Sequence, residues 1–177
     1  MDNKEQDILR AAERMVREGG YNAFSFRDIA NEVGIRSASV HYHFPTKEDL
    51  GAAVAAYYTD KFLGALGEPE ELVMAGKDPI KAYVKAFRDA LVKDKRMCLC
   101  GLLGAEINGL PPKVVAEARV FFERNLDWLT RAYTLQKGEK GGKDKAVQTL
   151  AVLEGAMIVS NTLGNNESFD AAVQIIS

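Results

Sequence analysis

Residues 25–50 read SFRDIANEVGIRSASVHYHFPTKEDL, and the placing of small and apolar side chains in this stretch decides the fold. Ser25 starts a helix: its hydroxyl can cap the free amides, and Asp28, three residues on, can reach back in a capping box that uses Asp in place of Glu. That helix runs to Val33, where Gly34 offers the left-handed backbone that a sharp turn needs before a third short helix over 37–44. Pro45 ends it and Thr46 caps a fourth. Ala30 is small where two helices cross closely, while Ile29, Val33, Ile35, Val40 and Phe44 are spaced to share one core with the helix that precedes them. A helix-turn-helix needs these residue types in this register.

The same spacing says which residues face outward. With Val40 and Phe44 turned in, Ala38 and Tyr42 lie on the opposite face with Ser39 and His41 at its flanks, and Ser37 sits at the amino end beside unpaired amides. Serine and histidine can exchange hydrogen bonds with base edges, and an alanine methyl can touch a thymine methyl. Ser25, Arg27, Arg36, Tyr42, His43 and Lys47 complete the candidate DNA-contacting set, the basic and hydroxyl groups among them reaching phosphates. His41 and His43 do not read as a metal pair, because residues two apart on a helix point about 200° apart.

At Tyr42-His43-Phe44-Pro45-Thr46-Lys47-Glu48-Asp49-Leu50 the chain resembles the tetracycline-repressor (TetR) family, whose third helix ends in a Tyr-His-Phe type pattern followed by Lys-Glu-x-Leu. The resemblance implies a three-helix DNA-reading head, base-reading roles for Ser37, Ala38 and His41, and phosphate-contacting roles for Ser39, Tyr42, His43 and Lys47. It also implies a homodimer that holds operator DNA and releases it on sensing a small molecule.

An amphipathic first helix over 4–18 carries Ile8, Ala11, Ala12, Met15 and Val16 on one stripe and stops at Gly19-Gly20. The fourth helix, with Leu50, Val54, Tyr57, Tyr58 and Phe62, runs to about Leu66. Asp78-Pro79 reads as a cap and first-turn proline for a helix to Val92. Further helices are expected over 97–107, 111–135, 144–163 and 168–176, with a mobile Gly- and Lys-rich loop over 137–143. The expected fold is all-α, of about nine helices: a helix-turn-helix domain over 1–46 and an effector-binding and dimerisation bundle over 47–177.

Composition is compatible with this and narrows it. The 177 residues, 47% hydrophobic, can bury a head and a bundle without covalent staples. The formal charge is −2, and residues 1–60 hold seven Lys or Arg against ten Asp or Glu, so a DNA footprint has to be a narrow patch. Two cysteines, the absence of a leader-like opening and charges or glycines breaking every apolar run place the chain in the reducing cytoplasm, away from membranes. Neither a cofactor nor a metal is expected.

In the second half, Tyr58, Phe62, Phe87, Cys98, Leu102, Phe121, Trp128 and Met157 are the candidate effector-binding residues, and Tyr83, Met97 and Phe122 are of the same kind; each can equally be ordinary core. The stretch from Cys98 to Glu106 resembles a Cys-Leu-(x)5-Ala-Glu pattern of a TetR subgroup that includes electrophile responders and regulators of detoxifying reductases. Cys98 then reads either as a thiol made reactive by a helix amino end near Lys95 and Arg96, or with Cys100 as a small buried hydrophobe. For the dimer, small residues at Ala151, Gly155, Ala156 and Ser160 among Leu150, Leu153 and Ile158 let a second helix approach closely, with Phe169, Ala172, Val173 and Ile176 from the last helix. Two other classes stay open. A thiol-dependent enzyme would need a base for Cys98, yet the histidines lie at 41 and 43; an all-helical protein-binding adaptor would not retain DNA specifically.

Overall fold

The computed structural model describes residues 3–137 and 142–176, and among them the chain is helical with no strand. The helices are α1 (Asn3–Gly19), α2 (Phe26–Val33), α3 (Ser37–His43), α4 (Lys47–Leu66), α5 (Pro69–Met74), α6 (Pro79–Val92), α7 (Leu99–Ala105), α8 (Pro112–Lys137), α9 (Gly142–Leu163) and α10 (Glu167–Ala172), with short 3-10 turns after α1, α7 and α10. All the expected helices are present, and α5 is an addition. Pro69 does not merely break α4; it occupies the first turn of a new helix, where a missing N–H costs nothing. The 137–143 loop falls largely outside the described residues, and α9 starts at Gly142.

Local chemistry accounts for the helix starts. The Ser25 hydroxyl accepts from the Asp28 N–H while the Asp28 carboxylate accepts from the Ser25 N–H, a complete capping box. Thr46 and Asp49 repeat it at α4, with both backbone contacts at 3.1 Å. Asp78 accepts from the Lys81 N–H at 3.0 Å to open α6. Gly34 ends α2 at φ 71°, the left-handed conformation the turn requires.

Packing divides the chain into two compact units, residues 1–61 with 99–121, and 62–98 with 122–177; the divisions fall within α4, immediately before α7 and within α8. This is a division by packing, and it groups the start of α4, α7 and the start of α8 with the first three helices. In that unit Ile8, Leu9, Ala12, Val16, Ile29, Ala30, Val40, Phe44, Leu50 and Val54 are buried. Met15, Val33 and Ile35, expected in this core, are half-buried instead: Met15 and Val33 lie at the rims of their helix faces, and Ile35 sits in the turn between α2 and α3. A buried ion pair adds to it: the Arg17 guanidinium lies 3.4 Å from Glu13, which also receives Lys61 of α4 at 2.8 Å.

In the other unit the core is aromatic and tied by polar contacts. Tyr83 of α6 stacks on Phe87 at 5.4 Å, meets Trp128 at 5.3 Å and Phe62 edge-on at 5.7 Å. The Tyr83 hydroxyl donates to Asn125 at 2.6 Å, the Trp128 indole N–H to the Gly67 carbonyl at 2.8 Å, and Tyr133 meets Thr149 at 2.6 Å. Helix α9 corrects one expectation: by length and composition it could cross a bilayer, with a mean hydropathy of 1.3, since Glu154 is the single charge between residues 146 and 163. Only 39% of that apolar window is buried.

Candidate nucleic-acid interface and effector core

The third helix presents the face its spacing implied. Ser37, Ala38, Ser39, His41 and Tyr42 are exposed, His43 is half-buried, and Val40 is fully buried beneath them. Tyr42 is 84% exposed, an unusual position for a large aromatic ring unless a partner covers it. Arg36, Ala38, Ser39, Tyr42 and His43 line one shallow hollow together with Ile35 and Lys4 of α1. The His41 ring packs edge-on against Phe26 at 4.4 Å with Nδ1 toward the Pro45 carbonyl, so Nε2 is the nitrogen left to meet a base edge. Arg27 and Arg36 are exposed, while the exposed Ser25 hydroxyl is engaged in its cap.

Lys47 sits differently from the other cations. Its ammonium lies over the rings of Tyr21 and Phe24, at 4.9 and 4.7 Å from their centroids, and burial draws its pKa below the ordinary lysine value. Both rings come from the segment joining α1 to α2, so Lys47 pins the start of α4 to the reading head. The first turn of α4 is held from the other side by Lys113, whose ammonium reaches Asp49 at 2.6 Å and whose backbone N–H donates to Glu48 at 3.0 Å. Lys113 and the Thr46 cap hold the Asp49 carboxyl below its usual range.

The candidate effector residues do not form a single cluster. Tyr58 and Phe121 pair at 5.8 Å in the unit that contains α1 to α3, where Leu102 is half-buried. Phe62, Phe87, Trp128 and Met157 belong to the other unit, the first three gathered around Tyr83. Cys98 and Cys100 are both buried, and Cys98 is the residue immediately before α7 rather than inside it. Two acids lie beside it. The thiol adjoins the carboxyl of Glu154 on α9, and both oppose ionisation of Tyr83, whose hydroxyl is held well above the ordinary tyrosine value by burial first, then by these two groups.

Sequence reasoning passed over Glu154, although a lone charge in an apolar helix was the signal that could have found it. It also left Glu106 without a role. In the structure the Glu106 carboxylate accepts the backbone N–H of Tyr21 at 3.1 Å. Among the described residues no group of His, Cys, Asp and Glu side chains is arranged to hold a metal ion.

Residues 8–54 match the family model described as bacterial regulatory proteins, tetR family. The fold superposes on a TetR transcriptional regulator from Legionella pneumophila with a TM-score of 0.87 at 30% identity, covering 99% of this chain and 96% of that one. A TetR-family regulator from Agrobacterium tumefaciens gives 0.83 at 31% identity, covering 97% and 94%. Among curated relatives, the HTH-type transcriptional regulator YerO of Bacillus subtilis is 30% identical over half of this chain, a match spanning only 33% of YerO. The regulator YezE of the same organism is 27% identical over 84% of this chain and 80% of its own length. A three-helix head with a solvent-facing third helix defines a helix-turn-helix DNA-binding regulator. The chain belongs to the TetR family of transcriptional regulators.

Proposed function

We propose that the chain is a one-component repressor that binds a palindromic operator as a homodimer and lets go when a small apolar or electrophilic effector occupies its second half. The observation that carries the reading is the outer face of α3, where Ser37, Ala38, Ser39, His41 and Tyr42 stand exposed over a buried Val40. Ser37, Ala38 and His41 read bases. Arg27, Arg36, Ser39, Tyr42, His43 and Lys47 hold phosphates, and Ser25 acts at the same surface through the cap it makes. The functional division lies between residues 46 and 47, and the protein works in the cytoplasm, where its DNA is.

Dimerisation is supported by the uncovered side of α9. Leu150, Leu153, Ala156 and Ser160, with Phe169 of α10, are buried within the subunit, whereas Ala151 and Ile158 face outward together with Val147, Val159 and Leu163. The half-buried Gly155 lies beside them with open space where a Cβ would stand, which lets a second copy of the helix approach. A twofold axis through this face pairs two copies of α3 with major grooves about 34 to 36 Å apart, or a multiple of that.

Effector release follows from linkage. A ligand lowers operator affinity only by binding better to the arrangement whose reading helices are wrongly spaced, a coupling of about 1 to 3 kcal/mol. The trigger is Cys98, alkylated by a reactive carbonyl compound or alkene, with Tyr58, Phe62, Phe87, Leu102, Phe121, Trp128 and Met157 as the side chains that repack. Neither a cofactor nor a metal takes part, and no substrate is turned over. The protein-binding adaptor remains the second reading of an exposed α3.

Selection from random duplexes followed by footprinting tests the proposal. Enrichment of an inverted repeat with symmetric protection is the expected result. An asymmetric single site bound by monomer, or no enrichment at all, would overturn it.

A further inference from the structure

Among the described residues, both carboxyl oxygens of Glu154 are buried without a hydrogen-bond partner of proper geometry. A buried polar group left in this condition is costly, and natural proteins keep few of them. A polar group that adjoins it is the Cys98 thiol, supplied by the segment that leads into α7, and Tyr83 of α6 also faces the pair. The Tyr83 hydroxyl is already committed to Asn125. The buried thiol and the unsatisfied carboxyl therefore face each other, and Cys98 rather than Cys100 is the cysteine so placed.

We propose that Glu154 is the proton acceptor for Cys98 when this thiol adds to an α,β-unsaturated carbonyl compound. The proposal rests on the reading of Cys98 as the sensor and says what makes it reactive. The thiol S–H bond breaks, its proton passes to the Glu154 carboxylate, and a bond forms between Sγ and the β-carbon. The π pair of the alkene moves onto the α-carbon and carbonyl as an enolate, which takes the proton back from Glu154. Nothing is oxidised, nothing leaves, and the carboxylate ends as it began.

Burial is what suits Glu154 to this task. Expelling the thiol proton to bulk water would leave a second negative charge beside the carboxylate in a low-dielectric core. Internal transfer keeps the charge of the pair at minus one before and after. Burial also lifts the Glu154 carboxyl to about 7, with the Cys98 thiol acting against the rise, and so makes its carboxylate a stronger proton acceptor near neutrality than an ordinary glutamate.

The test is alkylation of the full-length protein by N-ethylmaleimide, followed by intact mass from pH 5.5 to 9, in a Cys100→Ser background so that each adduct reports Cys98. The rate in this otherwise unaltered protein should inflect near pH 7, about 1.5 units below an ordinary thiol, and Glu154→Gln should react at least tenfold more slowly at pH 7 and lose the inflection. An ordinary thiol profile before any change at 154, an unreactive Cys98, or an equal rate and profile in Glu154→Gln would overturn the proposal; the first two stand even if Glu154→Gln fails to fold. Normal alkylation without operator release would sink the sensor reading and leave the acid–thiol pair standing. Normal release with Glu154-independent alkylation would do the reverse.

Discussion

The Glu106 carboxylate accepts a hydrogen bond from the backbone N–H of Tyr21 at 3.1 Å, which fastens the end of α7 to the turn that leads from α1 into the reading head. Gly20, at φ 81°, lies against the same carboxylate, so a side chain there would both strain the backbone and collide with Glu106. The stretch that begins at Cys98 therefore ends on the head seven residues after α7 starts, at a contact well suited to carry a signal along α7. Glu106→Ala should leave Cys98 alkylation at the parental rate yet reduce the loss of operator affinity that alkylation causes, by at least fivefold in fluorescence anisotropy. Full parental loss in this variant would remove Glu106 from the coupling.

Lys47 holds its ammonium over Tyr21 and Phe24 while lying at the amino end of α4. Its contribution to DNA binding is a phosphate contact and a fixed start for α4, neither of which distinguishes bases. Lys47→Ala should weaken binding to every duplex alike and reduce the slope of log K against log salt by about 0.9. Titrations at several salt concentrations check this, and a sequence-dependent loss would contradict it.

Cys98→Ser should bind operator as the parent does and ignore N-ethylmaleimide, whereas Cys100→Ser should still be released. Gel-shift titrations with and without the maleimide separate the two. Release of Cys98→Ser at parental maleimide concentrations would reduce the thiol to packing.

Stability should depend on pH through Glu154. Below pH 4.5 the carboxyl is protonated whether the chain is folded or not, and stability is complete. Between 4.5 and about 7 the unfolded chain loses this proton while the folded one keeps it, so stability falls as pH rises and the loss is complete above about 7. The shift corresponds to about 3 kcal/mol. Urea unfolding from pH 4 to 8 should show the decline in the parent and lose most of it in Glu154→Gln; the same decline in both would place its origin elsewhere.

Much of this was readable from residues with a strong local rule. Ser25 with Asp28, Thr46 with Asp49, and Gly34 each announce a cap or turn by chemistry that acts within four residues, and the third helix inherited its outward face from Val40. What was not readable depends on distant partners. Glu106 meets Tyr21 across 85 positions and Glu13 meets Lys61 across 48, and nothing in either neighbourhood names the other end. Cys98 shows the same limit. Its sequence neighbours Lys95 and Arg96 pointed to a positive setting, but the fold brings Glu154 to the thiol from another helix. On α9, small and apolar residues were seen as one interface, and only the helix's rotation assigns Leu153 to the core and Ile158 to the outside.

That α3 reads DNA sequence is tested most directly at His41. Its ring rests on Phe26, which fixes where Nε2 points without burying it. Anisotropy titrations of the parent and His41→Ala against the selected operator and its single-base variants measure discrimination position by position. His41→Ala should lose about 1 to 3 kcal/mol of discrimination at one symmetry-related pair of base positions and keep it elsewhere. Equal weakening at every position, with discrimination intact, would contradict it.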